Sequence, residues 1–452
     1  MTSVTSVADE ASEPEPLDPD EVWTARVAAL GIIGFTVAWV VVMFLAERGL
    51  YGAPDRALQV DLYRTYAQNV LNGQVPYRDF SFEYPPLALV PIVAPLLFAG
   101  SPVTEEGYRV AFELFMAGIG MVTMIFVMRA AAALHLGRRD MLAAAALVAA
   151  SPVLLGPLML ARYDLWPGLF TAAAMWALVT GHGRLTAIAL GLAVLAKVYP
   201  IVLAPLVAVY LWRQLGPRRA IEFGLILVTT VYVGVAPFYW LAPNGIVGSM
   251  TRAFTRPLQV ESIGASFMYL ASVTSNLHLT VIHTFDSYNL SGNLASQIAT
   301  IQTAVLAAVV ALMAVLLLRG RLTIDRLVIA SAAALTAYVA FGKVFSPQYL
   351  MWLIAPHVIV RSRGWPVHLL AIGVAILLTG WYYPRWYNGY YILHEPLWVA
   401  VVLARNLVLA ALTGYLVVRL VPPGQAAAAG ANDDGRVGAA PPGPAARSFE
   451  SR

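Results

Sequence analysis

A chain of 452 residues that is 59% hydrophobic and only 12% charged is not a soluble globular protein, in which about a quarter of the residues carry charge. Its formal net charge of +4 is small, and the basic residues stand mostly at the ends of apolar runs. A nucleic-acid role is therefore without support, and the charges report topology. With no cysteine, disulfides, thiolate chemistry and Cys-based metal sites are excluded.

Residues 1–26 form an acidic tail containing Ser and Pro, predicted to be disordered and cytoplasmic. Residues 27–45 are the first span; no small-residue cleavage site follows, so the span is expected to remain as an anchor. The stretch 59–86, QVDLYRTYAQNVLNGQVPYRDFSFEYPP, then places Asp61, Arg64, Arg78, Asp79 and Glu83 among six aromatic residues. At helical spacing Asp61, Thr65, Gln68 and Asn72 share one face and Leu62, Tyr66 and Val70 the other. That pattern predicts a short amphipathic helix at a membrane surface, with Asp61 near its start and Gly73 at its end. The run 76–86 follows as an extended, aromatic-rich segment. This stretch reads as the active-site loop of a membrane enzyme.

Residues 85–99, interrupted by Pro91 and Pro95, are poorly suited to a regular crossing. The positive-inside rule makes them re-entrant or interfacial, because residues 107–130 run to cytoplasmic Arg129, His135, Arg138 and Arg139. Spans 141–160 and 165–180 place Arg162, Tyr163 and Asp164 outside. Residues 185–212 begin at Arg184 and end at Arg213, Arg218 and Arg219. Two short helices meeting near Lys197 satisfy both ends. A span at 220–241, a long outer loop at 242–296, and spans at 297–318, 327–341, 346–360, 365–383 and 396–418 complete the count. The expected fold is an all-α bundle of about ten to twelve transmembrane helices, spanning residues 27–420. Residues 421–452, rich in Ala, Gly and Pro, are predicted to be disordered and cytoplasmic. No internal repeat is present, which weakens a transporter built from inverted halves.

Three polar clusters share the outer side: Asp61 with its loop, Arg162-Tyr163-Asp164 with Lys197, and Lys343 to Tyr349 in FGKVFSPQYLMW. Ionisable residues at membrane depth are functional candidates by default. Asp61 suits a general base or a helix cap. Lys197, with no acid near it in sequence, suits a lipid phosphate or snorkels to the headgroups. Arg162 and Asp164 suit a surface pair, and Asp164 also suits holding a hydroxyl. The run WYYPRWYNGYY, with Trp381 and Arg385, reads as an interfacial belt that also suits stacking on sugar rings. No phosphate loop or nucleophile elbow is present. His278, His283 and Asp286 make a weak metal signature and are read as loop residues.

Three motifs occur in order: Asp61-Leu62-Tyr63 followed by Gly73 and PYRDFSFEYPPL; Ala196-Lys197-Val198-Tyr199-Pro200; and KVFSPQY, residues 343–349, with Trp352. In these the chain resembles the GT-C superfamily of membrane glycosyltransferases, and most closely family 87, the actinobacterial polyprenol-phosphate-mannose-dependent mannosyltransferases. The last two motifs also look like the eukaryotic enzyme that adds the first mannose to GPI anchors. The resemblance implies a polyprenyl-phosphate sugar donor, with mannose ahead of arabinose, and a lipid-linked or cell-envelope glycan acceptor. It implies Asp61 as base and Lys197, Lys343, Arg64, Gln348 and Tyr349 at the donor phosphate. Asp164, Glu83, Tyr84, Trp381 and Arg385 would then face the acceptor. Many members pair two acids in the first outer loop; Asp61 has no adjacent acid, and a phosphate leaving group held by cations needs no metal, so no cofactor is expected. Single in-line attack would invert the anomeric carbon at the outer face of the cytoplasmic membrane. A lipid-linked sugar flippase would use the same cations without a base and would need access from both sides.

Overall fold

The computed structural model describes residues 19–51, 56–275, 277–362 and 364–421. Apart from residues 19–26 and 421, the predicted tails lie outside these residues. Helix α1 (Pro19–Glu47) starts before the predicted span, with Asp20 and Glu21 in its first turn, where carboxylates suit the helix dipole. Next come α2 (Arg56–Leu71) and a broken element of 3₁₀ turns around α3 (Leu89–Val93). Helices α4 (Glu105–Ala133), α5 (Arg138–Leu155) and α6 (Pro157–Leu160) follow, then α7 (Leu165–Val179), α8 (Gly183–Ala196), α9 (Ala204–Leu215) and α10 (Pro217–Leu241). The second half contains α11 (Pro243–Thr255), β1 (Leu258–Gln259), α12 (Ile263–Ser275), β2 (Thr280–Thr284) and β3 (Ser287–Ser291). It closes with α13 (Asn293–Arg319), α14 (Ile324–Phe341), α15 (Met351–Val358), α16 (Val367–Tyr382), α17 (Tyr387–Tyr391) and α18 (Pro396–Val418).

Among the described residues six helices, α1, α4, α10, α13, α14 and α18, are long and apolar enough to cross a membrane. Helix α1 turns Leu30, Ile33, Val37 and Val40 outward, a face for which lipid rather than water is the fitting solvent. By contrast α14 is buried along most of its length. The molecule is a polytopic membrane bundle, almost entirely α-helical. It is not all-α: the segment predicted as one long loop, 242–296, folds into α11, α12 and a three-stranded antiparallel sheet in the order β1-β3-β2. Leu258 and Val281 both face Leu290 across this sheet. Together with Tyr269, Tyr390 and Trp398 they build a second small core. The β-branched run Thr280-Val281-Ile282 was the local signal for a strand.

The bundle has two chemically different ends. At one, Arg213 bonds the Leu318 carbonyl, Arg326 that of Leu420, and Arg361 that of Leu134, while Arg184 pairs with Glu222. At the other, Arg109 pairs with Glu47, Trp166 bonds the Leu87 carbonyl and Ser249 that of Phe82. The chain between α8 and α9 reverses at Lys197, whose φ of −164° and ψ of 139° are extended; Pro200 three residues on cannot continue a helix. Charges at both ends of 185–212 thus meet at the basic end, as the sequence requires.

Candidate active site

The aromatic loop after α2 is held in shape by bonds from its own rings and from α11. Tyr77, at φ 66°, donates its hydroxyl to the Tyr84 carbonyl at 2.6 Å. The Ser249 hydroxyl of α11 donates to the Phe82 carbonyl at 2.8 Å. Helix α11 approaches so closely that a Cβ on Gly245 would stand 1.8 Å from the Tyr77 carbonyl oxygen, so glycine is required there. Tyr66 and Phe82 meet edge-on at 5.0 Å, as do Phe82 and Tyr84 at 5.7 Å, an arrangement favoured by ring quadrupoles. Among the described side chains of α2 the most buried are Val60, Tyr63, Tyr66 and Ala67. Leu62 and Val70 are half-buried, so the buried stripe is rotated from the predicted one.

This loop turns Glu83 and Tyr84 into a cavity of about 280 Å³. The other walls are Tyr63, Arg162, Lys197, Tyr199, Arg256, Phe285, Asp286, Gln348, Tyr349 and Trp352. Lys197 and the 343–349 motif, far apart in sequence, meet here. Tyr199 stacks on Trp352 at 3.9 Å and Trp352 on Tyr349 at 3.8 Å. The Lys197 ammonium lies 4.9 Å from the Tyr163 ring, 5.2 Å from Trp352 and 5.5 Å from Tyr349, within cation–π range. It is not unpaired: Nζ donates to Asp164 Oδ1 at 2.7 Å, and Trp352 Nε1 donates to the same oxygen at 2.7 Å. Asp164 therefore pairs with Lys197, a partner 33 residues away in sequence. Arg162 bonds the hydroxyls of Tyr63 and Tyr383.

Arg256 stands in two walls at once. Its Nη2 donates to the Phe285 carbonyl at 3.1 Å and to Ser287 Oγ at 2.8 Å, and its buried Nε has no hydrogen-bond partner among the described residues. Beyond it lies a larger cavity of about 480 Å³, lined also by Lys343, Thr300 and Ser296, with no carboxylate among the described lining residues. The Lys343 loop is fixed by Gln259, whose N–H donates to the Lys343 carbonyl at 2.9 Å and whose Nε2 donates to Ser346 Oγ at 3.1 Å. Behind it Arg405 lies 3.9 Å over the Phe345 ring and pairs with Glu261 at 3.4 Å. Burial, and then the nearby Arg256 charge, hold the Lys343 ammonium below its ordinary value. Burial, and then the Asp286 carboxylate, raise Glu83 above the usual range, while Arg256 and Arg252 pull it back. A carboxylate raised toward neutrality is suited to proton transfer.

The remaining predicted residues lie elsewhere. Asp61 accepts from Arg64 Nε at 3.0 Å and Nη2 at 2.5 Å, and Arg64 also pairs with Glu105 at 3.0 Å. Neither Asp61 nor Arg64 lines the cavity, although Leu62 and Tyr63 do. Asp61 is inside α2, beyond the N-cap position where a capping carboxylate would stand. Trp381 lines an apolar cavity of about 370 Å³ with Tyr51, Leu377 and Tyr383, and Arg385 lies 5.3 Å over Trp386. His283 packs on Tyr288 at 5.0 Å; among the described residues no group of three or more His, Asp or Glu side chains could hold a metal. Sequence reasoning missed Arg256, Phe285 and a site role for Asp286. All three belong to the segment taken as a loop, where charge in an otherwise apolar chain was the available signal. No protein-family model matches the chain, and no curated protein matches it.

Proposed function

We propose that this chain is an integral membrane glycosyltransferase of GT-C type, related to family 87, acting at the outer face of the cytoplasmic membrane. It moves a hexose, mannose by resemblance, from polyprenyl phosphate to a hydroxyl of a lipid-linked or cell-envelope glycan, with inversion. The observation that carries this reading is a polar cavity in which the carboxylates Glu83 and Asp286 stand beside the cations Arg162, Lys197 and Arg256, with Arg256 shared with a second cavity that Lys343 also lines. Glu83 takes the acceptor hydroxyl proton, the acceptor oxygen attacks the anomeric carbon, and the bond to the phosphate oxygen breaks. The departing polyprenyl phosphate keeps the electron pair, and Arg256 and Lys343 hold the charge that grows on it. Counting α5–α6, α7, α8, α9, α15 and α16 as shorter crossings gives about a dozen helices.

A second reading keeps Asp61 as base, since its half-exposed side chain precedes two wall residues, Leu62 and Tyr63. A flippase is disfavoured because the polar cavities gather at one end of the bundle.

Purified protein in bilayers, given polyprenyl-phosphate mannose or polyprenyl-phosphate arabinose with a membrane glycolipid extract, is expected to transfer mannose. Absence of transfer from both donors would remove the enzyme reading. Because the wild type has no cysteine, orientation is directly testable. A cysteine at Asn72 should react with an impermeant maleimide in intact cells, and one at Arg218 only after permeabilisation; the opposite pattern inverts the topology.

Glu83 also sets an expected pH dependence. Transfer should rise with pH as Glu83 ionises, and Asp286→Asn removes one influence that raises it. The acid limb of kcat/KM should therefore move to lower pH in Asp286→Asn. An unmoved limb would mean that Glu83 is not the titrating base.

A further inference from the structure

Strands β2 and β3 are joined by two residues, Phe285 at φ 55° and Asp286 at φ 45°. A tight hairpin turn with two positive φ angles is usually built from Asn-Gly or Gly-Gly. Aspartate tolerates this region, but a bulky phenylalanine there is an outlier. Such strain persists where the surroundings over-determine it, and it concentrates at functional sites. Here the surroundings are explicit. The buried Asn289 amide nitrogen lies 2.9 Å from the Thr284 carbonyl oxygen and 3.0 Å from Thr284 Oγ1. Arg256 ties the far side of the turn through the Phe285 carbonyl and the Ser287 hydroxyl. Its guanidinium also lies 5.8 Å from the Phe285 ring.

An Asn-Gly pair would close the same hairpin without strain, so packing of the hairpin does not account for Phe285 and Asp286. What the pair does is reach the wall of the cavity that contains Glu83. Asp286 and Glu83 disfavour an anion against the turn itself, whereas Arg162, Lys197 and Arg256 line the rest of the cavity; the part of a ligand that lies against the turn is therefore the neutral one. The anionic part belongs beyond Arg256, beside Lys343. A ring beside a carboxylate matches a polyhydroxylated sugar: the ring covers its C–H face and the carboxylate accepts from its hydroxyls.

We propose that the Phe285–Asp286 turn is the sugar-selecting element of the site, closing over the neutral hexose of a lipid-phosphate sugar while its phosphate lies beyond Arg256. The inference rests on the glycosyl-transfer reading above.

The test uses the full chain in nanodiscs and the double variant Phe285→Asn/Asp286→Gly, which installs the favoured turn pair. Two probes are titrated: citronellyl-phosphate mannose and citronellyl phosphate. Wild type is expected to bind the sugar-bearing lipid about tenfold tighter than the bare one. The double variant should lose that preference, keep its affinity for citronellyl phosphate within about twofold, and show an unchanged or higher Tm as strain is relieved. Asp286→Asn, which keeps the side-chain volume, should lose part of the preference. Equal binding of both probes by wild type, or a preference that survives in the double variant, overturns the proposal. So does a fall in Tm accompanied by weaker binding of both probes, since that marks the turn as structural. Sugar transfer is assayed separately. A wild type that transfers nothing yet shows the turn-dependent preference would sink the enzyme reading and leave the sugar-selecting turn standing.

Discussion

Glu83→Gln is expected to slow glycosyl transfer by about 10²–10⁴-fold, the usual worth of a positioned base. The glutamine keeps the shape of the side chain and its place in the cavity wall, so the loop should survive. That loop is held by the Tyr77 hydroxyl on the Tyr84 carbonyl and the Ser249 hydroxyl on the Phe82 carbonyl, neither of which involves the Glu83 carboxylate. Donor affinity should hold as well, because the phosphate is assigned to Arg256 and Lys343. Asp61→Asn is the matched comparison. Its carboxylate is bound by Arg64, and its loss should lower transfer by less than about tenfold, the effect of loosening a half-exposed ion pair. Single-turnover rates with saturating donor separate the two residues. A large loss in Asp61→Asn with near-normal transfer in Glu83→Gln would return the base to Asp61 and leave Glu83 in the acceptor-facing role that the family resemblance implies.

The parts of the molecule written in runs of apolar residues were legible in the sequence, because a membrane demands about 20 such residues for each regular crossing. The reversal at Lys197 was legible for a different reason. Arginines at both ends of 185–212 cannot lie on opposite sides under the charge rule, and the chain has to turn back. Contacts between distant segments were harder to read. Asp164 and Lys197 are separated by all of α7 and α8, so no local pattern advertised their pairing, and Lys197 looked like a lone cation. The sheet was hidden because β1 has two residues and β2 and β3 five each, too short for alternation to stand out against a polar loop. Arg256 was lost with it, since its place in two cavity walls depends on where β1 and the hairpin put it.

The pairing of Lys197 changes what its replacement should do. Lys197→Met removes a cation that is 16% exposed and leaves the Asp164 carboxylate, 0% exposed, without it. Trp352 would remain as a donor to Oδ1, and Oδ2 already has no hydrogen-bond partner among the described residues. Breaking one side of a buried pair typically destabilises by about 3–5 kcal/mol, because the uncompensated charge has to stay buried or take up a proton. A marked fall in Tm is therefore expected for Lys197→Met in detergent, together with loss of transfer. The double variant Lys197→Met/Asp164→Asn removes the stranded charge while keeping an oxygen for Trp352 Nε1, and should recover more than half of the lost stability. If Lys197 serves the cavity by fixing the Tyr199–Trp352–Tyr349 stack through Asp164, transfer should return along with Tm. Recovery of Tm with transfer and donor affinity still lost would instead assign the ammonium to the donor phosphate. A single variant with wild-type Tm would mean that this pair is not the buried one described here.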